Sequence, residues 1–226
     1  VSESQPIKKI AVVKEYMSEA VSDEVKTSIT NVVDKLKSSG VVVEEVSIPS
    51  VKHALAVYYI LAPAEISSNL ARYDGVKFGL RAESDSLEEM YTKTKDEGFG
   101  YEAKRRIMIG AYVLSSGFYD AYYQKSQKVR TLIINDFNSA FEKYDLLIGP
   151  TSPTTAFKLG EVSKDPIQMY LQDIMTVSAS LAGLPAISVP IEPEGEMPVG
   201  LQIIGKHGRD SQVLQLASQV EETQNG

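Results

Sequence analysis

The stretch 7-IKKIAVVKEYMSEAVSDEVKTSITNVVDKLKSSGVVVEEVSIP-49 decides the fold class, because two apolar runs flank a helical pattern. Residues 7–16 and 41–49 predict two β-strands. Between them, residues 23–40 predict a helix that Asp23 caps and Gly40 ends. Its apolar residues repeat at helical spacing and form one face: Val25, Ile29, Val32, Val33 and Leu36. A strand, a helix and a strand in this order indicate a βαβ unit with parallel strands, and therefore an α/β fold.

The rest of the chain continues the same pattern of helices and short apolar strands. We expect helices over residues 51–70, 102–115 and 118–144, the last with an apolar stripe through Tyr122, Val129, Ile133, Phe137 and Phe141. A buried strand at 145–150 runs into the hydroxyl-rich loop 151-TSPTT-155, and two more strands are expected at 186–191 and 199–205.

A further helix is expected between these strands, and a last one follows them. Asp165 and Pro166 predict the start of the first, which reaches about Leu181 and stops at Gly183. Asp210 or Ser211 caps the final helix. Since no repeat or linker interrupts the pattern, we expect residues 1–226 to form a single α/β domain.

Composition narrows the possible chemistry. The chain has 226 residues, no cysteine and two histidines, so thiolate nucleophiles, disulfides and cysteine-based zinc sites are excluded. His53 and His207 lie far apart in the sequence, so a histidine metal site or a Ser-His-Asp triad has little support. The formal charge of −7 argues against broad attraction to a phosphate backbone. Residues 1–10 do not resemble a signal peptide and no apolar run is long enough to span a bilayer, so we expect a cytoplasmic protein.

No residue of the chain has the surroundings of a catalytic nucleophile. The serine pairs at 38–39, 67–68 and 115–116 lack the glycine-rich turn that exposes an activated serine, so we interpret them as helix caps or turns. A phosphate-binding G-x-x-x-x-G-K-[ST] run is also absent from the sequence. We therefore predict no catalytic residue and no cofactor-binding or metal-binding residue.

Two groups of charge lie among apolar residues. The first is the cluster Lys104, Arg105 and Arg106, one or two of which would point inward if the neighbouring helix face is buried; that face comprises Ile107, Met108 and Ala111. The second is Asp173, a lone acid in 169-MYLQDIMTV-177. Structural ion pairs would explain such burial, and so would a bound ligand. An arginine together with an aspartate would suit the α-carboxylate and α-ammonium of an amino acid.

Four segments carry a resemblance to one known family, and the resemblance runs through essentially the whole chain. They resemble the A subunits of the glutamyl-tRNA(Gln)/aspartyl-tRNA(Asn) amidotransferases, which are amidase-signature proteins: 62-APAEISSNLARYDGVKFG-79, 98-GFGYEAKRRIMIGAYVLSSGFYDAYYQKSQKVRTLI-133, 148-IGPTSPTTAF-157 and 181-LAGLPAISVPIEPEGEMPVGLQIIG-205. The resemblance implies a mixed central sheet flanked by helices. It covers only the carboxyl-terminal half of these proteins. The Ser, cis-Ser, Lys triad of the family lies upstream of this half, so no residue here inherits a catalytic role.

The resemblance also implies an activity for the intact protein. Family members hydrolyse glutamine through an acyl-enzyme, and the ammonia passes to a partner subunit that activates misacylated tRNA with ATP and Mg²⁺. The implied partners are glutamine, the B and C subunits, and tRNA mainly through the partner subunit. By resemblance, Arg106 would bind the substrate α-carboxylate and Asp173 the α-ammonium, and Tyr59, rather than Tyr58, would line the pocket. The chain alone is expected to be inactive.

Two other functions remain open at this stage. The chain could be a stand-alone scaffold or interaction module with a vestigial pocket, or part of another amidase-family hydrolase that acts on other amides without a partner. The pairing of Arg106 with Asp173 argues for an amino-acid substrate.

Overall fold

The computed structural model describes residues 6–160, 166–193, 195 and 197–224. The chain divides into two compact units. The first comprises Val1–Leu55 and Arg130–Gly226, and the second Ala56–Val129. The sequence led us to expect a single α/β domain over residues 1–226, and this expectation remains a prediction.

The first unit contains a five-stranded mixed sheet, as the resemblance implies. Its strands are β1 Lys9–Val13, β2 Val42–Val46, β3 Leu146–Pro150, β4 Ala186–Ile191 and β5 Val199–Gly205, in the order β2-β1-β3-β5-β4. β1 pairs with β2 and β3 in parallel, which confirms the βαβ prediction. β5 pairs antiparallel with both β3 and β4. The prediction of an α/β fold with a mixed sheet flanked by helices is confirmed.

Helices account for most of the remaining regular structure in the described ranges. They are α1 Asp23–Ser38, α2 Ala54–Leu70, α3 Leu87–Gly98, α4 Tyr101–Leu114, α5 Lys125–Ala140, α6 Pro166–Leu171, α7 Val177–Ala182 and α8 Asp210–Gln224. The unit boundaries fall within α2 and α5. None of the helices in the described part of the chain is long and apolar enough to cross a membrane.

The helix α1 follows its sequence pattern closely, with a small change at its start. Ser22 is the N-cap, not Asp23, and its hydroxyl accepts a hydrogen bond from the Val25 N–H at 3.4 Å. Gly40 follows the helix with φ +92°, a conformation that favours glycine. All five residues of the predicted apolar face are buried. This face packs on the sheet, as the periodicity predicts.

The core of the first unit is centred on β3, whose five residues are all buried. Tyr16 lies beside it with 2% of its surface exposed, and its hydroxyl is hydrogen-bonded to that of Ser178 in α7. Gly149 in β3 makes room for this ring, because a Cβ there would lie 2.9 Å from Tyr16 Cδ2. The buried tyrosine thus joins α7 to the sheet.

In the second unit, α4 lies against α2 at unusually close range. Gly110 of α4 faces the Pro63 carbonyl group, and a Cβ on Gly110 would lie 2.0 Å from that oxygen. Pro63 has no N–H, so it cannot donate to the Tyr59 carbonyl one turn earlier. The buried apolar residues of this unit include Val57, Leu61, Ala64, Met90 and Val113.

The predicted helix over 118–144 is interrupted. A π-helix spans Tyr119–Gln124 and α5 follows it. Tyr122 is 43% exposed, whereas Ile133 and Phe137 in α5 are fully buried. A π-helix has more residues per turn than an α-helix, so the apolar spacing does not carry one face through it. The predicted stripe is therefore wrong at Tyr122, whereas within α5 Val129 is half-buried and Ile133 and Phe137 are buried as predicted.

The helix predicted to begin at Pro166, after the cap Asp165, and to reach about Leu181 is also interrupted. Asp165 lies outside the described residues, and α6 ends at Leu171. Residues 172–176 form turns before α7 begins. The N–H of Asp173 donates to the Tyr170 carbonyl at 3.1 Å, and that of Thr176 to the Asp173 carbonyl at 3.0 Å. These bonds span three residues rather than four, so the segment turns instead of continuing as an α-helix.

Candidate functional site

The basic cluster of α4 is paired with one carboxylate of its own helix and one of α3. Arg105 donates from Nε and Nη2 to the two carboxylate oxygens of Glu102, at 2.9 and 2.8 Å. Arg106 donates from Nε to Glu102 Oε1 at 2.8 Å. Lys104 forms an ion pair with Asp96 at 2.5 Å. The anion that these arginines need is therefore supplied in part by the protein.

Glu102 is a residue that the sequence reasoning missed. It precedes Arg105 by three positions and Arg106 by four, which is the spacing of neighbours on a helix surface. That spacing could have identified it. Hydrogen bonds from Arg105 first, and then from Arg106, hold the pKa of the Glu102 carboxyl below its usual range. Glu102 is therefore charged at neutral pH and holds both guanidinium groups in place.

The expected burial on α4 is only partly correct. Met108 is 72% exposed and Ala111 is also exposed, so the prediction that they are buried is wrong. Gly110 and Val113 are buried instead. The close contact of Gly110 with α2 sets this orientation, because it turns the opposite face of α4 outward. Arg106 is half-buried, with 24% of its side chain exposed.

Two of the three predicted binding residues meet within the second unit. The guanidinium carbon of Arg106 lies 5.7 Å from the centroid of the Tyr59 ring, within cation–π range. The Tyr58 and Tyr59 rings pack edge to face at 5.3 Å. The hydrogen bond to Glu102, with a smaller contribution from Tyr58, raises the pKa of Arg106. The Arg106 guanidinium therefore stays charged and is held in one orientation against the Tyr59 ring.

Asp173 lies in the first unit, in the turn between α6 and α7 rather than on a helix. Its side chain is exposed. Its carbonyl oxygen accepts from the Val177 N–H and the Thr176 hydroxyl, both at 3.1 Å, as well as from the Thr176 N–H. The backbone of the turn is therefore well held. The shared binding role of Asp173, Arg106 and Tyr59 stays a prediction.

A hydroxyl-lined cavity of 390 Å³ lies beyond the carboxyl end of β3, in the first unit. The hydroxyls of Thr151 and Ser188 are hydrogen-bonded at 2.7 Å across its wall. Gln172 Oε1 accepts from the hydroxyls of Ser152 and Thr154, at 2.8 and 3.2 Å. The carboxyl ends of strands are where α/β sheets bind ligands, and the loop 151–155 directly follows this end of β3. The cavity can offer several small hydrogen-bonding groups to a polar ligand.

Comparison with known proteins establishes the family of the chain. A model of the family described as Amidase matches residues 1–214. The chain belongs to the amidase family.

Relatives of this amidase chain carry a consistent name. It is 56% identical over 210 residues to the A subunit of the glutamyl-tRNA(Gln) amidotransferase of Sulfurihydrogenibium sp., covering 92% of this chain and 43% of the relative. It is 52% identical over 218 residues to the protein of the same name from Exiguobacterium sp., covering 96% of this chain and 45% of the relative. The amidase chain thus spans less than half the length of these curated relatives.

A solved structure supports the fold, and this chain again matches less than half of its length. The crystal structure of the A subunit of the glutamyl-tRNA(Gln) amidotransferase from Thermotoga maritima matches with a TM-score of 0.73 and 38% identity, over 98% of this amidase chain and 44% of that structure. The amidase-signature fold predicted from the sequence is confirmed.

The candidate serines of this amidase chain are mostly engaged with their own helices. The hydroxyls of Ser38, Ser39, Ser68 and Ser115 each donate to a backbone carbonyl three or four residues earlier. This arrangement agrees with the cap or turn interpretation of these four residues. In the described part of the chain, no group of three or more His, Asp or Glu side chains is arranged to hold a metal ion.

Proposed function

We propose that this chain is the carboxyl-terminal portion of the glutamine-hydrolysing A subunit of a tRNA-dependent amidotransferase. The observation that carries the proposal is the 52–56% identity to A subunits over 92–96% of the chain. By the resemblance, the chain belongs to the half of the subunit that carries the glutamine-binding residues named below, and the nucleophile belongs to the other half.

In this proposal, the chain supplies the groups that hold glutamine. Arg106 binds the α-carboxylate, Asp173 the α-ammonium, and Tyr59 lines the pocket. Glu102 fixes the Arg106 guanidinium through Nε, so the terminal nitrogens would meet the carboxylate. The Tyr59 ring beside the guanidinium restricts its motion and lowers the cost of ordering it on binding.

The reaction itself needs the rest of the subunit. A serine of the Ser, cis-Ser, Lys triad attacks the glutamine side-chain amide, expels ammonia and leaves a glutamyl ester that water then hydrolyses. The triad lies outside this chain, so the chain alone is inactive. The subunit works in a complex with the B and C subunits, and the ammonia passes to a partner subunit within it. The tRNA binds mainly to that partner subunit. That partner uses ATP and Mg²⁺, and the complex works in the cytoplasm.

The binding role of Arg106 can be tested in the full-length subunit within its complex. Arg106→Ala should raise the KM for glutamine by roughly 10- to 100-fold, because a charge-assisted contact to the substrate is lost. Arg105→Ala is a matched control, since Arg105 lies on the same helix, pairs with the same Glu102 and is similarly exposed. It should leave the KM within about twofold.

Equal effects of the two variants on the KM would contradict the proposed role of Arg106. Normal folding without glutamine binding, before and after Arg106→Ala, would favour a scaffold module instead. Hydrolysis of other amides by the full-length protein without any partner would favour another amidase-family hydrolase.

A further inference from the structure

We propose that Gln172 is a positioning residue for Asp173, an inference that rests on the proposed function. Gln172 directly precedes Asp173 in the turn between α6 and α7. Its side-chain oxygen is hydrogen-bonded to two hydroxyls of the loop that follows β3. Through this contact it holds the turn, and with it the acceptor for the substrate α-ammonium, at a defined place against the sheet.

In this contact, two hydroxyl groups donate to the same acceptor, the side-chain oxygen of Gln172, and we call this pair of hydrogen bonds the clamp. The Ser152 hydroxyl donates to Gln172 Oε1 at 2.8 Å and the Thr154 hydroxyl at 3.2 Å. A carboxamide oxygen has two lone pairs, so these two donors match its capacity. The donors lie 20 and 18 residues before Gln172 in the sequence, so the clamp is a tertiary contact and not part of the local turn.

The loop that grips Gln172 is itself anchored to the first unit at several points. The Thr151 N–H donates to the Gly200 carbonyl in β5 at 2.9 Å, and the Thr151 hydroxyl is bonded to Ser188 in β4. The Pro153 carbonyl accepts from the N–H of Ser22, the N-cap of α1, at 2.9 Å. The loop is thus tied to two strands and a helix. Because the loop is anchored to the sheet, its hydrogen bonds to Gln172 also hold the turn in a fixed position relative to the sheet.

The hydrogen bonds of the turn alone do not supply this connection. The N–H of Gln172 donates to Met169 and that of Asp173 to Tyr170, while the Asp173 carbonyl accepts from residues 176 and 177. These bonds shape the turn within residues 169–177, whereas the Gln172 side chain links it to the loop after β3. Loss of the clamp should therefore move Asp173 without unfolding the turn.

The effect on KM and kcat depends on the steps of the reaction during which Asp173 contacts the α-ammonium. Its contact with Asp173 is the same before and during attack on the distant side-chain amide. An interaction of equal strength in the ground state and the transition state affects KM and leaves kcat unchanged. A displaced Asp173 should therefore raise the KM for glutamine with little change in kcat.

The test measures glutamine-dependent ammonia release by the full-length subunit in its complex. Gln172→Leu keeps the size of the side chain but removes the acceptor, and should raise the KM by roughly tenfold with kcat within about threefold. Gln172→Glu keeps an acceptor for both hydroxyls and should restore a KM close to that of the unmodified enzyme. A purely structural role would not produce this split between KM and kcat, nor the rescue.

The clamp can also be removed from its other side. The double variant Ser152→Ala with Thr154→Val should raise the KM as Gln172→Leu does, and combining it with Gln172→Leu should add little, because all three changes remove the same contact. This double variant decides the matter if Gln172→Leu fails to fold.

Three results would overturn the inference: an unchanged KM in Gln172→Leu, an equal rise in Gln172→Glu and Gln172→Leu, or fully additive effects of the two sides. An unmodified complex that lacks glutaminase activity would overturn the proposed function as well, so the two failures are distinguishable.

Discussion

Tyr16 shows how a single residue can join distant parts of the first unit. Its ring fills the space that Gly149 leaves in β3, and its hydroxyl meets that of Ser178, 162 residues later in the chain. Burial raises the pKa of Tyr16 above its ordinary value, since the charged phenolate would lose its hydration. The residue therefore stabilises the fold as a neutral, hydrogen-bonded group.

Tyr16→Phe should lower the free energy of unfolding at pH 7 by about 1–2 kcal/mol, because it removes a buried hydrogen bond and leaves Ser178 without this partner. Urea unfolding of the chain measures the change. Ser178→Ala is the matched control, and the double variant should cost less than the sum of the two single variants. Full additivity would show that the two hydroxyls do not interact.

The same residue predicts a dependence on alkaline pH. A tyrosine whose pKa is raised in the folded state contributes stability that is present below the unfolded pKa of about 10 and is lost as the pH rises above it. The unmodified chain should lose stability relative to Tyr16→Phe by up to about 1.4 kcal/mol per pH unit in this range. Parallel unfolding curves of both chains from pH 9 to 11 test this, and a constant difference between them would contradict it.

At the residue scale, the sequence identifies isolated charges better than their partners. Arg106 and Asp173 stand out because they are charged among apolar neighbours. Glu102 could have been found from helical spacing, since its contacts are local. The contacts of Tyr16 with Ser178 and of Gln172 with the loop after β3 join distant residues, so spacing in the sequence does not reveal them.

At the element scale, the crossing of α2 and α4 depends on one small residue. Gly110→Ala places a methyl group 2.0 Å from the Pro63 carbonyl oxygen, which is backbone and cannot rotate away. We expect a loss of about 3 kcal/mol in the free energy of unfolding, because the two helices must separate.

Gly98→Ala is the control for Gly110→Ala. Gly98 is the last residue of α3, and a Cβ there would meet only the Leu80 side chain at an ordinary 3.8 Å. This substitution should be neutral or slightly stabilising, since alanine favours a helix more than glycine. Urea unfolding compares the two variants, and similar stabilities would show that the close helix crossing does not form.

The elements that the sequence predicts well are those with an undisturbed period. The buried face of α1 and the strands around it follow directly from apolar spacing. The π-helix at Tyr119–Gln124 and the turn at 172–176 interrupt longer predicted helices. Hydrogen bonds of different span produce both interruptions, and the pattern of apolar residues continues across them without a visible break.

At the scale of the whole molecule, the βαβ stretch predicts the parallel pairing of β1 with β2 but not the rest of the sheet. The strand order and the antiparallel pairing of β5 with β3 and β4 join residues that are far apart in the sequence. The expectation of a mixed sheet comes from the family resemblance. The assignment of the candidate site also comes from the family resemblance, because the residues alone favour structural ion pairs over ligand binding at Arg106 and Asp173.

The chain spans less than half the length of its curated relatives, and the proposed pocket needs a nucleophile that lies outside it. The most direct measurement is ammonia release from glutamine by three samples: this chain, the remaining half of the protein expressed separately, and their mixture. Circular dichroism and size-exclusion chromatography establish folding and association beforehand.

We expect the mixture to release ammonia and neither half to do so alone. Ammonia release by this chain alone, abolished by Ser116→Ala, would contradict it by revealing a nucleophile within these residues. A silent mixture of folded, associated halves would contradict it too, and would point to a scaffold role or another amide substrate.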